Sequence, residues 1–261
     1  MIARQFDPVA ELQSAFTLLM KNYSLASIPL IAGIVCIALF ATVLGVVAGG
    51  AVIAGLSDIS NNPMALVPLI TASLGWFGIV GLVAIIISLI ANGAAVAASE
   101  TAWQSGAADI SGGFNRALSR LADLIIVAVV LGIIWLAIFW TVIGGLALFF
   151  LMLYVIPAIV IGGESAFQAI STSWNMSTKN AGPTFMALIG IVIVCIAVAI
   201  VNAILGHIPI LGWIIAIVLN AMLSAFAAVV VVRFYDLLRG SATATIVPAA
   251  PPPPPPPTPT S

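Results

Sequence analysis

Charge is what this chain most lacks. Seven lysines and arginines and eight aspartates and glutamates make up 6% of its 261 residues, against about 25% in a soluble globular protein. A water-facing surface cannot be built from so few, and the apolar patches left bare would aggregate. The net charge of −1 leaves no basic patch for nucleic acid. Histidine occurs once, at His207, and cysteine twice, at Cys36 and Cys195. Both cysteines stand inside apolar runs, where a thiol behaves as a small hydrophobe; neither a disulfide nor a metal site is expected. No P-loop, GxGxxG, HExxH, CxxC or nucleophile-elbow pattern occurs. Ionisable groups this sparse offer no convincing catalytic cluster, so neither an enzyme nor a cofactor is expected. The N-terminal MIARQFDPVAELQ has no apolar stretch behind its first charge and does not read as a signal peptide.

What the chain has in excess is apolar surface, 63% of residues, which lipid as the outer solvent accommodates. A hydrocarbon core takes about 20 helical residues. The pattern predicts an all-α polytopic membrane protein with six transmembrane helices near 28–56, 65–98, 124–142, 145–162, 184–205 and 210–232. The apolar run 124–163 would be about 60 Å long as one helix, twice the hydrocarbon thickness. It therefore reads as two spans, folded near Thr141–Gly145, where Gly144-Gly145 can turn tightly. Ala41, Gly45 and Gly49 form a small-xxx-small ridge suited to close helix contact. ANGAAVAAS, from Ala91, is weakly apolar and reads as the second helix leaving the membrane. Ser57–Met64 and Gly206-His207-Ile208-Pro209 read as turns. Residues 1–239 make one membrane domain. The tail 240–261, with Pro251–Pro257, reads as a disordered spacer, or as a polyproline ligand for a cytoplasmic protein.

Three polar stretches interrupt the spans, each with helical spacing. Asp7-Pro8 is an N-cap with proline in the first turn, and Val9, Leu12, Phe16, Leu19 and Tyr23 share a face. Phe114, Ala117, Leu118 and Leu121 do so after Ile110-Ser111-Gly112-Gly113. Phe167, Ile170 and Trp174 do so after Glu164. Each is expected to be an interfacial amphipathic helix preceding a hairpin of spans. Each carries a small residue followed by phenylalanine: Ala15-Phe16, Gly113-Phe114, Ala166-Phe167. Three parallel repeats of interfacial helix plus two spans then account for the chain to Arg239. All seven basic residues (Arg4, Lys21, Arg116, Arg120, Lys179, Arg233, Arg239) fall in alternate loops. By the positive-inside rule both termini are cytoplasmic, in the cell membrane. Trp140 and Trp213 then mark the outer boundary, while Trp103 and Trp174 anchor the polar segments at the inner one.

The segment Pro157–Lys179 carries a motif. Pro157, Glu164, Ala169-Ile170, Ser173-Trp174-x-Met176 and Lys179 resemble the membrane domain found beside bacterial glycerophosphoryl diester phosphodiesterases and in related stand-alone proteins. In that family the chain leaves a span through a proline, meets a glutamate and enters an A-L-x-x-S-W-x-L helix followed by a basic residue. Gly106–Leu121, ending in GGFNRALSRL, is similar to the matching element before the third span. Thr172 stands where the family often has arginine. The resemblance covers roughly residues 10–239 and implies a membrane module. It does not imply phosphodiesterase activity, because one histidine cannot supply that enzyme's paired histidines and no catalytic barrel follows.

The candidate contacts are thus interfacial or intramembrane. Phe16, Phe114, Arg116, Arg120, Glu164, Phe167, Ser173 and Trp174 could meet lipids or a partner. More blandly, Glu164 complements the start of its helix, and the arginines, Arg233 and Arg239 included, set topology. Asn92, Asn202 and Asn220 stand in apolar runs and are expected to face the bundle interior, bonding between helices; alternatively they line a polar pathway. His207 sits in an exposed turn. The expected function is non-enzymatic: organising membrane lipids or protein partners at the cytoplasmic face. The alternative is a transporter or channel for a small neutral or amphiphilic solute, with Asn202 and Asn220 in its lumen. No ionisable residue lies near the middle of a span, which weighs against ion coupling.

Overall fold

The computed structural model describes residues 7–53, 66–138, 141–208 and 211–244. The expected turn at 57–64, Arg4, Trp140, Pro209 and the proline run lie outside them. Every regular element among the described residues is helical: α1 (Pro8–Lys21), α2 (Ser27–Ile53), α3 (Leu66–Ser105), α4 (Ile110–Ser119), α5 (Leu121–Ile138), α6 (Val142–Leu151), α7 (Val155–Val160), α8 (Ala166–Lys179), α9 (Ala181–Leu205) and α10 (Leu211–Ala244), with a 3-10 turn at Tyr23–Ala26. Six stretches are long and apolar enough to cross a membrane: Tyr23–Val46, Ser73–Ser105, Leu121–Ile138, Ile143–Val160, Ala181–Leu205 and Leu211–Gly240.

The forty-residue run divides, but not through its glycines. Helix α5 stops at Ile138, and the Thr141 hydroxyl caps α6 by accepting from the Gly144 amide at 3.2 Å. Gly144 and Gly145 lie inside the first turn of α6. A Cβ on Gly144 would sit 2.0 Å from Ile138 Cγ2, and one on Gly145 3.0 Å from the Trp135 ring. The pair permits close return of the chain against α5, not a left-handed turn. Positive φ is confined, among the described residues, to Gly106 and Gly163.

The expected span 145–162 is broken. Helix α6 ends at Leu151, Met152–Tyr154 form a turn, and α7 begins at Val155. Pro157 is the physical cause. It has no N–H for the carbonyl of Leu153, four residues earlier, and its ring crowds that carbonyl. At the other end, α10 runs on to Ala244 rather than ending before Gly240. Nothing in Gly240–Ala244 forbids helix, since one glycine costs only about 1 kcal/mol.

The buried core gathers at one end of the bundle. It draws on Ala91–Ala102 of α3, Leu153–Val160 around the break, Ala221–Leu238 of α10, and one face of each of α1, α4 and α8. In the opposite halves, residues such as Ile34, Leu44, Leu82, Ile133, Leu136, Ile196 and Ile214 are exposed. The alanines of ANGAAVAAS let α4 approach closely. A Cβ on Gly113 would lie 2.7 Å from the Ala94 carbonyl oxygen, and one on Gly93 3.1 Å from Ala117 Cβ. Leu12 of α1 reaches α9 at Gly190 in the same way, 2.6 Å from where a Cβ would stand. The Gly45 and Gly49 ridge, by contrast, has no described atom within 4 Å of the added Cβ. Among the described residues, tight glycine contacts are made by Gly93, Gly113 and Gly190 rather than by the small-xxx-small ridge.

Candidate functional site

The three short helices share a register that is set by where they end. Asn22 caps the end of α1 at φ −119°, ψ 51°, and Asn180 caps α8 at φ −121°, ψ 49°. Each asparagine amide donates to the carbonyl four residues back, Leu18 at 3.2 Å and Met176 at 3.1 Å. Arg120 ends α4. Counting back from the three caps, the seventh residue is Ala15, Gly113 or Ser173, and all are buried. The third is Leu19, Ala117 or Ser177, again all buried. The sixth is Phe16, Phe114 or Trp174. Phe16 is 55% and Trp174 50% exposed, while Phe114 is half-buried against the core. The partner of Ala15-Phe16 is thus Ser173-Trp174, not Ala166-Phe167, which lies two turns earlier on the same helix. Phe167 is also exposed; the inward face of α8 is Ala166, Ala169, Ser173 and Ser177.

Ser173 and Ser177 are fully buried, and both hold the broken helix. Ser173 Oγ donates to the Leu151 carbonyl at 2.7 Å and accepts from the Tyr154 amide at 3.1 Å. Ser177 Oγ donates to the Phe150 carbonyl at 3.0 Å. A helix terminus leaves carbonyls and amides without partners, and an unpaired buried one costs about 1–3 kcal/mol. The serines supply what the break removes. Tyr154, also buried, donates from its hydroxyl to Thr184 Oγ1 at 3.2 Å, tying the break to α9. Ser177 was missed in the sequence; its place one turn beyond Ser173 on the same face was the available signal.

Glu164 does not cap α8. The N-cap is Ser165, whose amide donates to Gln168 Oε1 at 3.2 Å, and the Ala166 amide donates to Asp123 Oδ1 of α5 at 3.1 Å. The carboxylate that bonds this helix start is therefore that of Asp123. Glu164 Oε2 is buried without a hydrogen-bond partner. Gly163, at φ +71°, sits under the Arg120 guanidinium, 3.2 Å from Nη2 to where a Cβ would be.

The remaining polar residues at this end join elements. Arg116 pairs with Glu100, and Arg233 Nε meets Glu11 Oε2 at 2.7 Å. The Arg233 guanidinium also stacks on Trp103, 4.8 Å from its centroid, and Trp103 Nε1 donates to the Val229 carbonyl at 3.1 Å. Trp103 is thus an internal joint rather than a surface anchor, because its N–H finds a carbonyl and its face a cation. Asn22 accepts from the Ala108 amide at 3.1 Å and donates to the Gly106 carbonyl at 3.2 Å, fixing α1 to the α3–α4 connection.

The intramembrane asparagines depart from expectation. Asn92 and Asn220 are exposed and donate to their own helices, to Ser88 at 2.8 Å and Ala216 at 2.7 Å. A carbonyl one turn back satisfies part of the amide, so no second helix is required. Asn220 lines a cleft of 390 Å³ between α2 and α10 whose walls do not include Asn202. Asn202 is half-buried, and its Oδ1 is without a partner. The two asparagines do not form one lumen.

These helices, with their apolar lengths and one polar, packed end, define a multi-pass helical membrane protein. Compared with family models, curated proteins and solved structures, the chain has no match.

Proposed function

We propose that the protein is a non-enzymatic module of the cell membrane that organises lipids at its cytoplasmic face. It consists of three units, each an interfacial helix followed by two spans, with both termini cytoplasmic. The observation that carries this reading is the shared register of α1, α4 and α8. Each buries a small or aliphatic pair toward the bundle and places an aromatic residue beside it, outward in α1 and α8. A short helix that turns phenylalanine and tryptophan outward gains by laying them in a bilayer interface. The distribution of Lys21, Arg116, Arg120, Lys179, Arg233 and Arg239 beside these helices supports a cytoplasmic position for that face under the positive-inside rule. Exposed Trp76, Trp135 and Trp213 stand toward the opposite boundary, as an aromatic belt does. Membership of the phosphodiesterase-associated membrane family is part of the same proposal. Its proline and Ser-Trp motif coincide with the break and the serine that holds it.

Native mass spectrometry of protein released from membranes in mild detergent tests the proposal. Phe16→Ser, Phe167→Ser and Trp174→Ser together should reduce retained anionic lipid several-fold while the thermal midpoint moves little. Retention equal to that of the parent protein would reject a lipid-organising role for these helices.

A further inference from the structure

A furrow runs down the side of the bundle between α3 and α5. Its upper part is a cavity of 440 Å³ closed by the broken span and α10, with Asn92 and Ser224 in its wall. Its lower part, a cavity of 530 Å³, shares Leu89, Ala128 and Trp135 with the upper one and is otherwise lined by residues such as Leu82, Gly132 and Ile133. Among the described residues, no ionisable side chain lines either part. From Asn92 to Leu82 is ten residues of α3, about 15 Å. The space is therefore elongated and lined by apolar side chains, with Asn92 and Ser224 as its polar groups toward one end.

The polar end has a defined depth. Asn92 lies eight residues from Glu100 and Ser224 nine from Arg233, so both sit about 12–14 Å below the charged layer. The headgroup zone is only about 5–8 Å thick on each side. A phospholipid whose phosphate is level with the charges cannot bring a polar group so deep. Asn92 gives one N–H to Ser88, leaving its second N–H and its oxygen. The Ser224 hydroxyl donates to the Asn220 carbonyl at 3.0 Å, leaving its lone pairs to accept. A hydroxyl group answers both, since it can accept from the free Asn92 N–H and donate to Ser224 Oγ.

We infer that this furrow binds a neutral lipid consisting of a single hydrocarbon chain that ends in a hydroxyl group. The hydroxyl meets Asn92 and Ser224, and the chain lies along α3 and α5 toward Leu82. The depth estimate rests on the membrane placement proposed above.

The full-length protein in mild detergent is offered 1-hexadecanol, hexadecanoate or hexadecyl phosphate, and adducts are counted by native mass spectrometry. Hexadecanol should be retained in preference to both anions, and Asn92→Leu should lower its retention about fivefold, the worth of one hydrogen bond. Gly132 has open space where its Cβ would be, so Gly132→Phe should fill the furrow and abolish retention without moving the thermal midpoint. A diazirine-bearing hexadecanol should crosslink the parent protein within 82–92 or 124–136. Equal retention of the anions, retention unaffected by Gly132→Phe, or crosslinks confined elsewhere would overturn the inference. Anionic lipid read in the same spectra, with and without the Phe16, Phe167 and Trp174 substitutions, reports separately on the interfacial helices.

Discussion

Ser173 shows how a single side chain acquires a structural duty from a break it did not cause. Its hydroxyl serves the Leu151 carbonyl and the Tyr154 amide at once, so Ser173→Ala leaves both without a partner in a dry interior. We expect a loss of about 1–3 kcal/mol, read as a lowered thermal midpoint in detergent, with Ser171→Ala on the exposed side of α8 as the silent control. Glu164 gives the contrary case. Since Asp123 and Gln168 serve the start of α8, Asp123→Ala should cost about 1 kcal/mol. Glu164→Gln should cost less than half as much. Equal losses would return Glu164 to the capping role its position suggests. Such residue roles were legible only where the partner is local. Asp7-Pro8 announced its cap, and the Asp7 carboxylate accepts from the Val9 amide at 3.0 Å. Asn22 gave no signal of its role as a joint, because the Gly106 carbonyl and Ala108 amide that it bonds lie 84 and 86 residues away.

At the scale of elements, helix ends carried information that periodicity could not. Ala166-Phe167 and Ser173-Trp174 are seven residues apart, so both pairs fall on nearly the same face of a helix with 3.6 residues per turn. Spacing alone cannot choose which pair matches Ala15-Phe16; the asparagine caps choose the second. The break at Met152–Tyr154 was within reach of the sequence, since proline blocks the bond four residues before it. It stayed hidden because a forty-residue apolar run needs one fold to span twice, and the first fold satisfied the length. Glycine roles follow the same division. Gly113→Ala should destabilise by about 1–3 kcal/mol, because the new methyl meets the Ala94 carbonyl. Gly78→Ala, with open space around it, should be neutral or slightly stabilising. Thermal midpoints of the pair check both.

Among the described residues, the buried core gathers at one end of the bundle. Composition made the six apolar stretches legible, because hydrocarbon thickness sets their length. It could not reveal that packing concentrates where α1, α4 and α8 sit, since small residues such as Ala94, Ala98 and Ala117 look weakly apolar in sequence yet are buried. Their small size is what allows the close approach. An even number of spans also predicts sidedness. In a background without Cys36 and Cys195, Ser24→Cys and Arg239→Cys should react with impermeant maleimide from the same side, and His207→Cys from the other.

The placement of the short helices in the bilayer surface is the claim on which the rest depends. Spin labels at 16, 167 and 174, compared with labels at 14, 168 and 175 on the polar sides of the same helices, measure it in reconstituted membranes through their relative accessibility to oxygen and to a water-soluble nickel chelate. The account predicts that the first three favour oxygen and the second three favour the chelate. Six positions that all favour the chelate would contradict it.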